Sequence, residues 1–161
     1  MAGKTFTEYK DIIINGIVSN ENLLKALTIN DQDFLNKPLT ILPKNIPYNY
    51  VYPYRTDPLV IVEPKTIITI AFVNFNFDGV KFKEGKIYFY TICHESLIRC
   101  DYGNRYDYIY EQLKNIFNNN RTLGIGKAIM SETGDLSVSN TQMGNVCCLK
   151  LSDFGVWLNG W

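Results

Sequence analysis

His94 is the only histidine in the chain, and two of the four cysteines, Cys93 and Cys100, lie on either side of it. Nucleophilic catalysis by a thiol would have to be sought here, because it needs Cys and His within hydrogen-bond reach. Cys93 and His94 are consecutive, however, and consecutive residues of a strand point to opposite faces, so they make no local dyad. Cys100, Cys147 or Cys148 can approach His94 only through the fold, which keeps a small thiol hydrolase as one class to test. Zinc requires four ligands in recognisable pairs, and Cys93-His94 with Cys100 is too irregular for that. Adjacent Cys147 and Cys148 face apart in a strand and cannot bond to each other. Free thiols in a reducing cytoplasm are the expectation.

Other chemical patterns also fall short of a site. Leu123-Gly-Ile-Gly-Lys127 has the look of a phosphate loop, but Lys127 is followed by Ala128 and the glycines come after a helix. A phosphate cradle needs GxxxxGK[ST] leading from a strand into a helix, whose N-terminal N–H groups face the phosphates. The acidic residues are scattered, with no carboxylate pair of the kind hydrolysis of glycosides or nucleic acids uses. Arg99, Asp101, Arg105 and Asp107 alternate in sign around a helix start. A carboxylate there is favoured by the helix dipole, and an arginine can grip a carboxylate with two hydrogen bonds, within the domain or on a neighbouring subunit. No catalytic residue, cofactor or metal is expected, and the reading is a non-enzyme.

The conspicuous surplus is aromatic: eleven Tyr, nine Phe and two Trp in 161 residues. Tyr combines apolar area with a polar tip and is enriched at interfaces. Five prolines between residues 36 and 58 (Pro38, Pro43, Pro47, Pro53 and Pro58) make that stretch extended, because proline neither continues a helix nor donates to a sheet. Tyr48, Tyr50, Tyr52 and Tyr54 lie inside it with Val51, so it either wraps its own domain or docks on a neighbour, and docking is the expectation. Sixteen basic and sixteen acidic residues leave no net charge, hence no global pull toward nucleic acid or an anionic membrane. Apolar runs are too short to span a bilayer, and the first residues lack the apolar core of a signal peptide.

The elements that must position these groups are legible in part. The chain has the length of one domain, 1–161, with 46% hydrophobic residues, enough for its own core. Phe6, Tyr9 and Ile13 recur at helical spacing, Gly16 is a candidate break or kink, and Ser19 is a candidate cap for a second helix with Leu23, Leu24 and Leu27 on its buried stripe. Thr66 to Phe77 reads as a strand whose end alternates, Val73, Phe75 and Phe77 against Asn74 and Asn76. Asp78-Gly79 and Glu84-Gly85 are turn signals before a strand from Lys86 to His94, with a protruding loop at 78–85. Tyr106, Ile109, Tyr110, Leu113, Ile116 and Phe117 make an amphipathic helix stripe, capped by Asp101 or Asn104 and ended by Asn118 to Asn120. Further strands are expected near Gly124 to Met130 and Val146 to Leu151, joined by a polar loop with Thr133-Gly134-Asp135. The order α-β-β-α-β-β implies an α+β fold, a mainly antiparallel sheet with helices packed on one face.

The run Lys86-Ile-Tyr-Phe-Tyr-Thr-Ile-Cys-His94-Glu-Ser-Leu-Ile-Arg99-Cys-Asp101-Tyr-Gly-Asn-Arg105-Tyr-Asp107 resembles small structural proteins of tailed phages that infect Gram-positive-type hosts. Tyr52-Pro-Tyr54 and Gly124-Ile-Gly-Lys127 are similar to the same group, so the likeness spans roughly residues 45 to 130. It implies a neck protein of the tail terminator, head-closure or connector class. Such a chain forms a closed homo-oligomeric ring, one face of each copy meeting a different face of the next, and contacts portal or connector and tail-tube proteins. DNA would pass the lumen without being read, with no membrane involved. The location implied is the virion neck, after assembly in the host cytoplasm. Interaction residues implied by this reading are Tyr48, Tyr50, Tyr52, Tyr54, His94, Arg99, Asp101 and Arg105. The competing class is a small phage module that binds and inhibits a host protein through the same aromatic surface.

Overall fold

A computed structural model describes residues 5–56, 63–77, 82–121 and 127–152. The first helix, α1 (Phe6–Val18), starts in a capping box: the Thr5 hydroxyl accepts from the Glu8 N–H while the Glu8 carboxylate accepts from the Thr5 N–H. Each bond satisfies a backbone donor or side-chain acceptor that the first helical turn would leave open. Gly16 does not break α1. A side chain there would lie 3.1 Å from the Phe117 ring, so the glycine admits a neighbouring helix instead. Ser19 closes α1, donating its hydroxyl to the Asn15 carbonyl at 2.6 Å. The cap of α2 (Glu21–Thr28) is Asn20, whose Oδ1 accepts from the Leu23 N–H at 2.9 Å.

The sheet has the order β1-β2-β3-β7-β6, from β1 (Val51–Tyr52), β2 (Thr66–Phe77), β3 (Phe82–His94), β6 (Ile129–Ser137) and β7 (Gln142–Ser152). Every pairing is antiparallel except β1 with β2. A small hairpin, β4 (Arg99–Cys100) with β5 (Gly103–Asn104), leads into α3 (Arg105–Phe117). The expected α+β fold with a mainly antiparallel sheet is therefore observed.

Side-chain alternation gives the sheet two different faces. Ile68 and Ile70 of β2, Ile87 and Phe89 of β3, and Cys147, Leu149 and Leu151 of β7 share one face and join the helices in a single buried cluster. Phe89 stacks on Phe117 of α3 at 5.3 Å, and Phe72 meets Phe6 of α1 at 5.5 Å, so both helices cover this face. The register is tight: a Cβ on Gly144 of β7 would lie 1.6 Å from the Thr91 carbonyl oxygen.

Several details depart from the sequence pattern. Asn74 takes φ 53°, and the β2–β3 register shifts between Val73 and Asn76, so the regular alternation through Val73, Phe75 and Phe77 is broken. The bulge brings Phe75 into a stack with Phe72 at 5.1 Å. Glu84 and Gly85 are strand residues rather than a turn, since Glu84 pairs with Asn76 and Ser152 and Gly85 with Leu151; the glycine leaves room for the Phe75 ring, which a side chain would meet at 2.6 Å. Phe82 and Lys83 also belong to β3, whereas residues 78–81, Asp78-Gly79 included, lie outside the described residues, as does the start of the strand expected from Gly124. Thr133-Gly134-Asp135 belongs to β6. As the sheet's outer strand β6 is largely exposed, so its polar residues imitate a loop.

The main surprise is Arg105. It is 1% exposed, at the head of the buried row Arg105, Ile109, Leu113 and Phe117 of α3. Its Nε donates to the Leu97 carbonyl at 2.8 Å. Nη1 donates to Ala26 and Ile29 at 2.8 Å each, and Nη2 to Asn30 at 3.2 Å and Asp31 at 3.0 Å. All the donors of the planar fork are thereby used. The guanidinium also lies 4.7 Å from the Phe34 ring centre. Burial lowers its pKa, and the cation neutralises the negative C-terminal end of α2. Replacing Arg105 by Lys keeps the charge but cannot reproduce the fork. Arg105→Lys should lower stability by roughly 3–5 kcal/mol in urea unfolding, the scale for breaking a buried charged network. A loss under about 1 kcal/mol would contradict this role.

Candidate interaction surface

The proline-rich segment is tied to its own domain at several points, with Ile46 and Val51 fully buried and Leu39, Ile41 and Tyr50 packed against the core, and open at others. The Ile46 carbonyl accepts from the N–H groups of Asn49, Tyr50 and Val51, which winds the chain into a tight turn. Val51, fully buried, then pairs alongside Ile68. This segment therefore wraps its own sheet edge at Val51. Tyr50 packs against the core, with Lys65 Nζ 4.3 Å over its ring.

The other three tyrosines remain on the outside. Tyr48 is 61% exposed and Tyr54 47%, with their rings 6.2 Å apart, and Tyr52 meets Tyr54 at 5.8 Å. Burial, and next the neighbouring Tyr54, raise the Tyr52 phenol above its ordinary pKa. Tyr52 is opposite Thr69, Thr69 opposite Tyr90, and Tyr90 opposite Val146, so these residues form one row on the sheet face away from α1 and α3. Tyr88 stacks near Tyr90 at 6.2 Å, and the Arg55 guanidinium sits 4.9 Å over Tyr90. An aromatic band thus runs from the β1 edge into the middle of the sheet. Tyr88 and Tyr90 alternate with core-facing Ile87 and Phe89 in the sequence, so period-two spacing was the signal for their membership; the sequence reading named only the proline-segment tyrosines.

The charged candidates separate. His94 is half-buried and caps the 3-10 turn Glu95–Leu97: its Nδ1 accepts from the Ser96 N–H at 3.2 Å and lies 2.8 Å from the Ser96 hydroxyl. Arg99 and Asp101 are exposed on the β4–β5 hairpin, held by the Asp101 N–H donating to Gln32 at 3.0 Å. Arg105 is buried and grips carbonyls, so it is no accessible contact, and no ion pair joins Arg99, Asp101, Arg105 and Asp107 among the described residues.

All four thiols are buried. Cys93 meets the Thr66 hydroxyl at 3.4 Å on the helix-covered face, while His94 belongs to the other face. Burial raises the Cys93 pKa, and burial with the adjacent Cys148 pushes Cys147 up to about 12, the opposite of an activated nucleophile. Among the described residues, no three His, Cys, Asp or Glu side chains are gathered for a metal. No helix among them is long and apolar enough to cross a membrane.

A family model described as YomW matches residues 20–150. That description is a prophage-type protein name and points to a phage origin. No curated protein and no solved structure matches the chain.

The Cys147 shift has a measurable consequence. Between its ordinary value of 9.0 and about 12 only the unfolded chain ionises this thiol. The unfolded state then binds fewer protons, so stability is retained below the ordinary value and falls as pH rises through this window, by up to about 1.4 kcal/mol per pH unit. Cys147→Ala should flatten that alkaline slope in urea titrations, while an unchanged slope would contradict the assignment. Native labelling by a thiol reagent near neutral pH should be slow at every cysteine; one fast thiol would revive the hydrolase reading.

Proposed function

The chain belongs to the YomW family, and from that premise we propose that it is a structural protein of the phage particle, forming a closed ring in the neck as a tail terminator or head–tail connector between portal and tail. The observation that carries this reading is the aromatic band of Tyr48, Tyr52, Tyr54 and Tyr90 on the sheet face opposite α1 and α3. Rigid aromatic groups with polar tips suit contact with another protein. In the ring, the band meets portal or tail-tube subunits, and the lumen passes DNA by shape alone. The chain's zero net charge supports the last point.

Mass spectrometry of purified virions tests the reading directly. A neck protein is recovered at a fixed, low copy number per particle, and its loss leaves filled heads and finished tails unjoined. A host-directed inhibitor is made during infection but is missing from particles, and that result would overturn the neck assignment. Because Tyr48 and Tyr54 are exposed, the double change Tyr48→Ala with Tyr54→Ala should leave stability within about 1 kcal/mol. The same change should weaken capture of portal or tail-tube subunits at least tenfold. Undiminished capture would remove the band from the interface.

A further inference from the structure

A second surface lies around the edge of the sheet from the aromatic band. Between the first half of α3 and the outer strand β6 is an open cleft of about 460 Å³, within the roughly 300–1,000 Å³ usual for binding clefts. Its rim carries three carboxylates, Asp107 and Glu111 from α3 and Asp135 from β6, all exposed. Its walls include the rings of Tyr102, Tyr108 and Tyr110. No lysine or arginine lines it. Glu111 has Lys114 at 3.9 Å, a distant exposed pair, whereas Asp107 and Asp135 have no ion pair among the described residues.

The floor supplies an independent sign of a missing donor. Asn145 of β7, the cross-strand partner of Asp135, is 3% exposed and lines the cleft. Its Nδ2 donates to the Tyr106 carbonyl at 3.0 Å, and among the described residues its buried Oδ1 has no partner. Carboxylates, tyrosines and an unpartnered amide oxygen at the floor together suit a flat cation with several N–H donors. The carboxylates are not gathered closely enough for a metal ion.

The chain itself carries a matching group at the other end of α3. Arg121 and Lys127 are exposed, and each is next to a residue of the hydrogen bond in which the Ala128 N–H donates to the Asn120 carbonyl at 2.8 Å. Among the described residues neither has an ion pair. From Asp107 to the end of α3 at Phe117 is roughly 15 Å along the helix axis, so this basic end cannot fold back into its own cleft. Opposite charges on opposite ends of one subunit describe a head-to-tail contact, the kind that closes rings.

We propose that the α3–β6 cleft is the receiving half of the contact between copies of this chain, and that the basic end around Arg121 and Lys127 of a second copy inserts its guanidinium there. The inference rests on the ring reading above and names the surfaces that would make the ring. Charge reversal on the full chain, read by sedimentation velocity, separates the two. One variant carries Asp107→Lys with Asp135→Lys, and the other Arg121→Glu with Lys127→Glu. Each alone should lose at least tenfold in association, whereas an equimolar mixture should assemble again as alternating copies, since each variant then meets an opposite charge at both ends. Recovery on mixing also shows that both variants fold. The milder pair Asp107→Asn with Asp135→Asn should weaken assembly and flatten its dependence on salt, because screening acts on exposed charges. Assembly of the separate variants equal to that of the unaltered chain overturns the cleft and leaves the ring standing, and so does failure of the mixture to recover. An unaltered chain that stays monomeric at high concentration overturns both.

Discussion

The guanidinium of Arg105 is where three separately encoded pieces of chain meet: the end of α2, the turn before β4 and the start of α3. Its fork binds the Ala26 and Ile29 carbonyls at the α2 terminus, the two carbonyls that follow, and Leu97. These carbonyls have no helical partners because the helix has ended, and they are too deep for water to serve them all. One rigid cation replaces what would otherwise be several unsatisfied acceptors, and Phe34 covers its flat side. The same residue is the first helical position of α3. The placement of α3 against α2, and so the wall of the α3–β6 cleft, depends on this contact.

From α3 the dependence passes to the sheet. Phe117 stacks on Phe89 and touches the space that Gly16 leaves open in α1. Asn145 ties β7 to the α3 backbone at Tyr106. One face of the sheet is thereby committed to the core, and strand alternation forces the intervening side chains outward. Tyr88 and Tyr90 are on the outer face for that reason, beside the tyrosines of the proline-rich segment. The outer aromatic face is a by-product of the core, set by the same register.

The positions with chemical reputations have structural employment instead. His94 closes a short turn, Cys93 is bonded to Thr66 inside the core, and Cys147 is held far from ionisation. Each follows from the strand period, which assigns Cys93 and His94 to opposite faces. The reading of these residues from spacing alone was sound because a strand's geometry is local.

Local rules settled much of the rest: the limits of β2 from its β-branched run, the amphipathic helix from Tyr106 to Phe117, and the α+β order of elements. Spacing also placed the cap of α2 to within a residue, Ser19 against Asn20. Three matters lay beyond it. The polar Thr133-Gly134-Asp135 became strand because β7 pairs with it, and pairing partners are distant in sequence. The alternation near Asn74 broke because Phe75 stacks on Phe72 and fills the space that glycine leaves at position 85, a three-body packing condition. Arg105, at the head of an apolar row, looked like a surface charge, since no local rule reveals five carbonyls from elsewhere converging on one point. The sequence by itself determined the helices, the span of β2 and which side of each helix is apolar, because those depend on neighbours a few residues away. Only the tertiary structure decided which polar groups are buried and which aromatics stay outside, because that depends on what the rest of the chain brings against them.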